Sequence, residues 1–187
     1  ALNPYSEPDM YYAPPVELMR GIEVVKGSGS VLFGPQTTGG VINFLTLVPP
    51  SQQRAVVDVE AGERNYGRAL VAYGDSVGSA RYIVQAFHKR GDGFRDVAFS
   101  TTDAFGKVTF ETSSRGELTL KLGFHDEDNV SDAVGLTREM YRANPRRSTV
   151  APNDRMFLRS YDVSLTHEHR FSSETKLKSL AYAYMLT

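Results

Sequence analysis

From Arg54 onward the chain repeats one pattern: short runs in which apolar and polar side chains alternate, divided by turn-forming residues. Leu118, Leu120, Leu122 and Phe124 alternate with Glu117, Thr119, Lys121 and His125, with Gly123 in the remaining slot. Ala55, Val57, Val59 and Ala61 alternate with Arg54, Asp58 and Glu60, and Ala104, Gly106, Val108 and Phe110 with Asp103, Lys107, Thr109 and Glu111. Tyr161, Val163 and Leu165 alternate with Asp162, Ser164 and Thr166. A period of two places successive side chains on opposite faces of a strand. The pattern predicts seven strands, over about 54–63, 68–75, 81–90, 101–112, 117–126, 157–168 and 176–187. The runs near 81–89 and 176–186 alternate less cleanly, and the sequence leaves their faces unassigned.

The connections alternate in length as well. They are short at 76–80, at 113–116 and around Ser172-Ser173, longer at 91–100, and about thirty residues long at 127–156. The connection near 64–67 is short although it falls on the long-loop side. Alternating segments of about ten residues, with short turns at one end and longer loops at the other, characterise transmembrane β-barrels. A soluble β-sandwich with one solvated face shows the same alternation.

Upstream the texture differs. Two β-rich runs, 22–26 and 41–46, flank a segment crowded with Gly27, Gly29, Gly34, Gly39 and Gly40. Glycine reaches backbone conformations that other residues avoid, so the chain is expected to fold tightly between two strands here. Gly39 and Gly40, just before the second run, are expected to hold geometry that a side chain would strain. The Gly-Ser-Gly-Ser run at 27–30 lacks the Lys-Ser/Thr ending of a phosphate-cradling loop.

Composition narrows the classes. The chain has 187 residues, with 21 Lys and Arg against 22 Asp and Glu, a balance that excludes a nucleic-acid binder driven by bulk charge. No apolar run approaches the roughly 18 residues of a membrane helix. Cys is absent, so there is no disulfide, thiolate ligand or thiol nucleophile. Trp is absent too, and the ten Tyr and ten Phe are left to fill any membrane-interface positions. The polar, Pro-rich opening at 1–19 is not a signal peptide, and the chain stops inside a strand-like run at 181–187; both have the texture of the interior of a longer protein.

Candidate chemistry is sparse. No Gly-x-Ser-x-Gly, His-Glu-x-x-His or Walker sequence occurs, so no enzyme is expected. His167 and His169 lie two apart on a predicted strand and point the same way, which fits a metal pair or an interface-level feature. The run His125 to Asp128 with Asp132 departs from a calcium-loop template, with Val130 and Ser131 at ligand and turn positions, and reads as a charged loop rim. Residues 136–159 hold Arg138, Arg142, Arg146, Arg147, Arg155 and Arg159 against Glu139 and Asp154, a local charge of +4. Residues 126–132 carry a local −4 from Asp126, Glu127, Asp128 and Asp132. The arginines are open to two readings: pairing with those acids or with anionic lipid headgroups, or contact with an anionic ligand.

The ordered set Ile22-Glu23-Val24, Gly27, Phe33-Gly34, Gly39-Gly40, Ile42-Asn43 and Thr46 resembles the end of the plug domain of TonB-dependent outer-membrane receptors, with Phe33 where the family usually has Tyr. Gly135 to Arg138, Tyr141, Arg147 to Thr149, Pro152 and Asp154 to Phe157, together with Gly34-Pro35-Gln36, are similar to the ferric citrate branch of that family. The resemblance implies a mainly β fold. Residues 1–50 would be the C-terminal part of a plug domain, and 51–187 the first antiparallel strands of a large transmembrane β-barrel that encloses the plug. It implies TonB-dependent import of a ferric chelate, ferric dicitrate, across the outer membrane of a Gram-negative bacterium. Another cargo (a siderophore, haem or cobalamin) and a non-transporting β-sheet binding protein are the alternatives. The implied partners are the ferric chelate, the TonB–ExbB–ExbD complex through a segment upstream of residue 1, and outer-membrane lipid, with no nucleic acid. No resident cofactor is implied, since iron travels as chelated cargo. The implied ligand contacts are Gln36, Arg138, Arg142, Arg146 and Arg147, the arginines forming a mobile lid. Gly27, Gly34, Gly39, Gly40 and Asn43 would be structural.

Overall fold

A computed structural model describes residues 15–27, 39–130, 135–149 and 154–187. The chain divides into two compact units, Ala1–Val48 and Pro49–Thr187.

In the first unit a short 3-10 turn at Val16–Leu18 leads into strand β1 (Met19–Lys26), which pairs antiparallel with β2 (Gly40–Thr46). Asn43 lies opposite Glu23, and its side-chain amide donates to the Glu23 carboxylate at 3.1 Å. Gly27 has φ +89°, and its N–H donates to the Gly39 carbonyl at 3.3 Å, closing the pair. Gly40 has φ +149°, and a Cβ there would lie 2.7 Å from the Val25 carbonyl oxygen. At Gly39 no heavy atom of the described residues, its chain neighbours aside, lies within 4 Å of the place a Cβ would take, and its φ is outside the left-handed range. The strain expected at both glycines is therefore required only at Gly40. Gly34 and Gln36 lie outside the described residues.

The second unit is one antiparallel sheet in chain order: β3 (Arg54–Ala61), β4 (Gly67–Val77), β5 (Ala80–Gly91), β6 (Phe99–Ser113), β7 (Gly116–Val130), β8 (Arg155–Arg170) and β9 (Lys176–Leu186). Tight turns at 78–79 and 114–115 and a short one at 171–175 lie at one end. Residues 62–66, 92–98 and 131–154 connect the strands at the other, the loop end.

Register assigns the faces that the sequence left open. One row runs Tyr73–Val84–Gly106–Leu122–Val163–Ala183 across six strands. The adjacent row on the same face runs Val71–Ala86–Ala104–Phe124–Tyr161–Met185. Leu118, Leu120, Val108 and Phe110 share this apolar face. The opposite face carries Gln85, Asp103, Lys107, Thr109, Lys121 and Asp162. It also takes Ile83 and Phe87, which is why β5 does not alternate cleanly.

Burial is inverted relative to a soluble sheet. The polar face is the shielded one: Asp103 is 0% exposed, His125 2% and Gln85 5%. On the apolar face Val57 is 72% exposed and Leu122 52%. The polar face carries ion pairs between strands, Arg68 with Asp58 and Glu60, Arg81 with Glu117, and Lys121 with Asp162. Gly123 breaks the alternation on β7 because Asp162 occupies the space a Cβ would need.

The edge strand β9 departs from the rule. Leu180, Tyr182 and Tyr184 sit on the otherwise polar face, and Leu177 and Met185 on the apolar one, all exposed.

Candidate functional site

The loop end carries exposed arginines that make no ion pair among the described residues. Residues 62–66 form a tight turn in which the Gly62 N–H donates to the Tyr66 carbonyl at 2.9 Å. Arg64 and Asn65 both adopt positive φ, 60° and 55°, a conformation unusual for residues with side chains. That turn is tied to the next loop. The Asp92 N–H donates to the Arg64 carbonyl at 2.8 Å, and the Arg64 guanidinium donates to the Gly93 carbonyl at 3.1 Å. The guanidinium groups of Arg64 and Arg95 lie 5.2 Å and 5.3 Å from the centre of the Phe94 ring, within cation–π range. Arg95 then donates through Nε to the Pro145 carbonyl at 3.0 Å, linking this loop to the long one.

The long connection is shorter than the sequence suggests, and its described part holds a helix. β7 runs to Val130 and β8 begins at Arg155, so the loop is 131–154 and not 127–156. It contains a helix, α1 (Arg138–Ala143), whose N-cap Thr137 accepts from the Met140 N–H at 3.2 Å. Asn144 ends it, and its side chain accepts from the Arg146 N–H at 2.9 Å.

Arg138 and Arg142 are four apart on α1, so they share a face and repel each other mildly. Arg138, Arg142, Arg146 and Arg147 are all exposed, and none has an ion pair among the described residues. Arg95 is tied to the same loop through its bond to the Pro145 carbonyl, and Arg64 shares the Phe94 ring with it.

The other two arginines of the predicted cluster are not part of it. Arg155 forms a bidentate pair with Asp128, at 3.1 Å and 2.6 Å, and Arg159 pairs with Asp126 at 2.6 Å. Both pairs lie on strands, across the β7–β8 register, and on the apolar face of the sheet. Of the acids read as a loop rim, Asp126, Glu127 and Asp128 are thus strand residues, and Asp132 lies outside the described residues. Lengthening β7 and β8 by cross-strand ion pairs is what shortens the loop.

His125, which the sequence groups with that rim, lies on the opposite face. Its Nδ1 is 3.0 Å from Asp103 Oδ1 and its Nε2 3.0 Å from Glu127 Oε2, while Asn129 donates to Glu127. With a carboxylate at each ring nitrogen, the hydrogen-bonding demand is met by an imidazolium that donates from both. His167 and His169 stack at 6.4 Å between centroids, with Phe171 edge-on to His169 at 4.7 Å. Among the described residues no group of three or more His, Cys, Asp or Glu is placed to hold a metal.

Sequence reasoning missed Arg64, Phe94 and Arg95. Their signal is weak: Arg64-Asn65 and Arg95-Asp96 are ordinary polar turn dipeptides, and the cation–π pairing depends on contact between loops.

No family model matches the chain. The vitamin B12 transporter of Photobacterium profundum is 24% identical over 132 residues, covering 65% of this chain and 22% of the transporter. The ferric citrate transporter FecA in its unliganded form matches with a TM-score of 0.75 at 24% identity, over 89% of this chain and 26% of FecA. The siderophore receptor PiuA from Acinetobacter baumannii matches with a TM-score of 0.73 at 18% identity, over 87% of this chain and 25% of the receptor. The chain thus spans about a quarter of the length of the proteins it matches. At these identities the likeness establishes the fold: mainly antiparallel β, shared with about a quarter of each of these outer-membrane proteins. The three matched proteins are named as transporters and a receptor, and none as an enzyme.

Proposed function

We propose that the chain is the plug end and first barrel strands of a Gram-negative outer-membrane receptor that imports an anionic ferric chelate, ferric dicitrate. In this reading the apolar face meets hydrocarbon and the polar face meets the barrel lumen. From Leu118 to Phe124 the apolar run is about 20 Å along the strand, in keeping with the apolar band of about 25 Å on outer-membrane barrels. The sheet ends in the unpaired edges of β3 and β9 among the described residues; hydrocarbon does not tolerate open edges, so further strands would close the barrel.

The observation that carries the cargo is the cationic rim of Arg138, Arg142, Arg146 and Arg147, joined to Arg64 and Arg95 by the Arg95–Pro145 hydrogen bond. Exposed guanidinium groups concentrate an anion near the mouth and hold carboxylates bidentately, an effect that weakens with salt. Gln36, in the glycine-rich segment of the plug, is the further contact that the resemblance implies. A loop of this length is the expected place for a lid. Iron travels as chelated cargo, and work delivered by the TonB–ExbB–ExbD complex weakens the bound state so that the chelate is released inward.

The test is titration of ferric dicitrate into the full-length receptor and its R138A/R142A/R146A/R147A variant across salt concentrations. The variant is expected to bind at least about tenfold more weakly, the worth of one charge-assisted hydrogen bond, with a flatter salt dependence. Equal affinity and equal salt slope would contradict the assignment. The match to a vitamin B12 transporter favours cobalamin as the second cargo, and saturable binding of cyanocobalamin with no response to ferric dicitrate would establish it.

A further inference from the structure

The segment that leads into the sheet is held to β4 on both of its faces. The chain bends at Ser51 and Gln52 before β3 begins at Arg54. That bend lays Pro50 over Gly74 of β4, a buried residue on the polar face in the row Arg54–Gly74–Ile83–Lys107. A Cβ at Gly74 would lie 2.7 Å from Pro50 Cδ, 2.8 Å from its Cγ and 2.9 Å from the Tyr82 carbonyl oxygen. The φ of Gly74 is outside the left-handed range, so the glycine serves close approach rather than backbone conformation. On the apolar face, the Gln53 side-chain amide donates to the Tyr73 hydroxyl at 3.1 Å. The Tyr73 ring centre lies in turn 6.1 Å from that of Tyr82 on β5. Residues 50–53 therefore grip β4 from both sides, near its turn end.

The first unit has its own last hold. The Leu47 N–H donates to the Leu18 carbonyl at 3.1 Å, and Leu18 is buried. The division between the two units falls after Val48, which is 52% exposed, whereas Pro49 is buried. Pro49 and Pro50 have fixed φ, and each holds the residue before it extended. Freedom between the two holds is thus confined to the short stretch around Val48.

We propose that residues 50–53 are a clasp that stops force at the sheet, so that work applied to the first unit is taken up at Val48 and does not reach β3. The need follows from topology. β3 comes directly after the bend, and its outer edge is unpaired among the described residues. A pull through a slack linker would peel β3 from β4 one residue pair at a time, beginning at Arg54 and Gly74. The clasp sits at that first pair, since Gly74 is both the partner of Arg54 and the seat of Pro50. A side chain at Gly74 would expel the proline and leave the start of β3 to bear the load.

The inference rests on the reading of the first unit as the part of a receptor that TonB-delivered work displaces, and a pulling experiment separates the two. The full-length receptor is held in a lipid bilayer and pulled at constant force from its N-terminus. The chain freed at each step, at about 3.3–3.6 Å per residue, locates the residue that resists. The intact protein is expected to pause with the chain freed as far as Val48, before the sheet yields. Pro50→Ala leaves the wall of β4 intact and removes two packed methylenes, so the lifetime of that pause is expected to fall about fivefold. Gln53→Ala removes one neutral hydrogen bond and is expected to shorten the pause about threefold. Gly74→Ala fills the slot and is expected to shorten it at least as much as Pro50→Ala. Because the Tyr82 carbonyl also crowds that position, the two linker variants carry the test if Gly74→Ala assembles poorly. A pause of equal lifetime in the intact protein, Pro50→Ala and Gln53→Ala would overturn the clasp alone. A first unit that gives way together with the sheet, in one event without a pause, would remove both the receptor reading and this one.

Discussion

The two faces of the seven-stranded sheet share the same backbone and obey opposite rules. On one, Asp103, His125, Gln85 and Thr109 are shielded, with His125 bonded to Asp103 and Thr109 to Thr119. On the other, Val57, Val71, Leu122, Val163 and Leu165 are left uncovered. A soluble sheet buries its apolar face because water drives apolar area out of contact. A sheet that shields its charges and exposes its valines is suited to a surrounding that is itself apolar. The faces also differ in how they tolerate change. The polar face is held by ion pairs and hydrogen bonds between strands, whereas residues such as Val57, Leu122 and Leu165 on the apolar face stand exposed.

That difference yields graded predictions. The largest effect belongs to the network. His125→Ala would leave Asp103 and Glu127 facing a buried gap, and loss of one partner of a buried ion pair costs about 3–5 kcal/mol. Denaturant unfolding of the full-length receptor from vesicles measures this, and a loss below about 1 kcal/mol, the range of exposed pairs, would mean the triad is open to water. Next is a charge on the apolar face: Leu120→Arg is expected to cost about 2–4 kcal/mol near the bilayer midplane, while Lys121→Leu, one residue away on the other face, removes the pair to Asp162 without meeting lipid. Equal costs for Leu120→Arg and an arginine placed at Thr119 would erase the distinction between faces. The smallest contrast concerns neighbouring glycines of the first unit. Gly40→Val meets both a positive φ and the Val25 carbonyl and is expected to cost about 1–3 kcal/mol, whereas Gly39→Val is expected to stay within about 0.5 kcal/mol. Comparable losses at the two positions, read by thermal unfolding, would show that Gly39 carries a demand of its own.

The strands and their faces were legible because alternation is a local property. Leu118 to Phe124 declares its face without any neighbour, and the register of β6 against β7 agrees with it. β5 was not legible, since Ile83 and Phe87 fill the polar face where the partner strands offer Leu70 and Phe105 to pack against. The candidate site was half legible. Charge density singled out Arg138, Arg142, Arg146 and Arg147, and the structure leaves these exposed at the loop end. It could not separate them from Arg155 and Arg159, because pairing with Asp128 and Asp126 depends on a register set over the whole length of β7 and β8. Nor could it bring Arg64 and Arg95 to the rim, since their approach depends on contacts between connections far apart in sequence.

The central claim is that the apolar face of this sheet meets lipid and the polar face meets an aqueous lumen. Spin labels placed singly at positions 120 and 121 of the full-length protein in a bilayer test it directly, through their relative collision rates with oxygen, which partitions into hydrocarbon, and with a water-soluble nickel chelate. The account predicts that the label at 120 favours oxygen and the label at 121 favours the chelate, with the order alternating through 118 to 124. The reverse order, or equal access of both labels to the chelate, would contradict it.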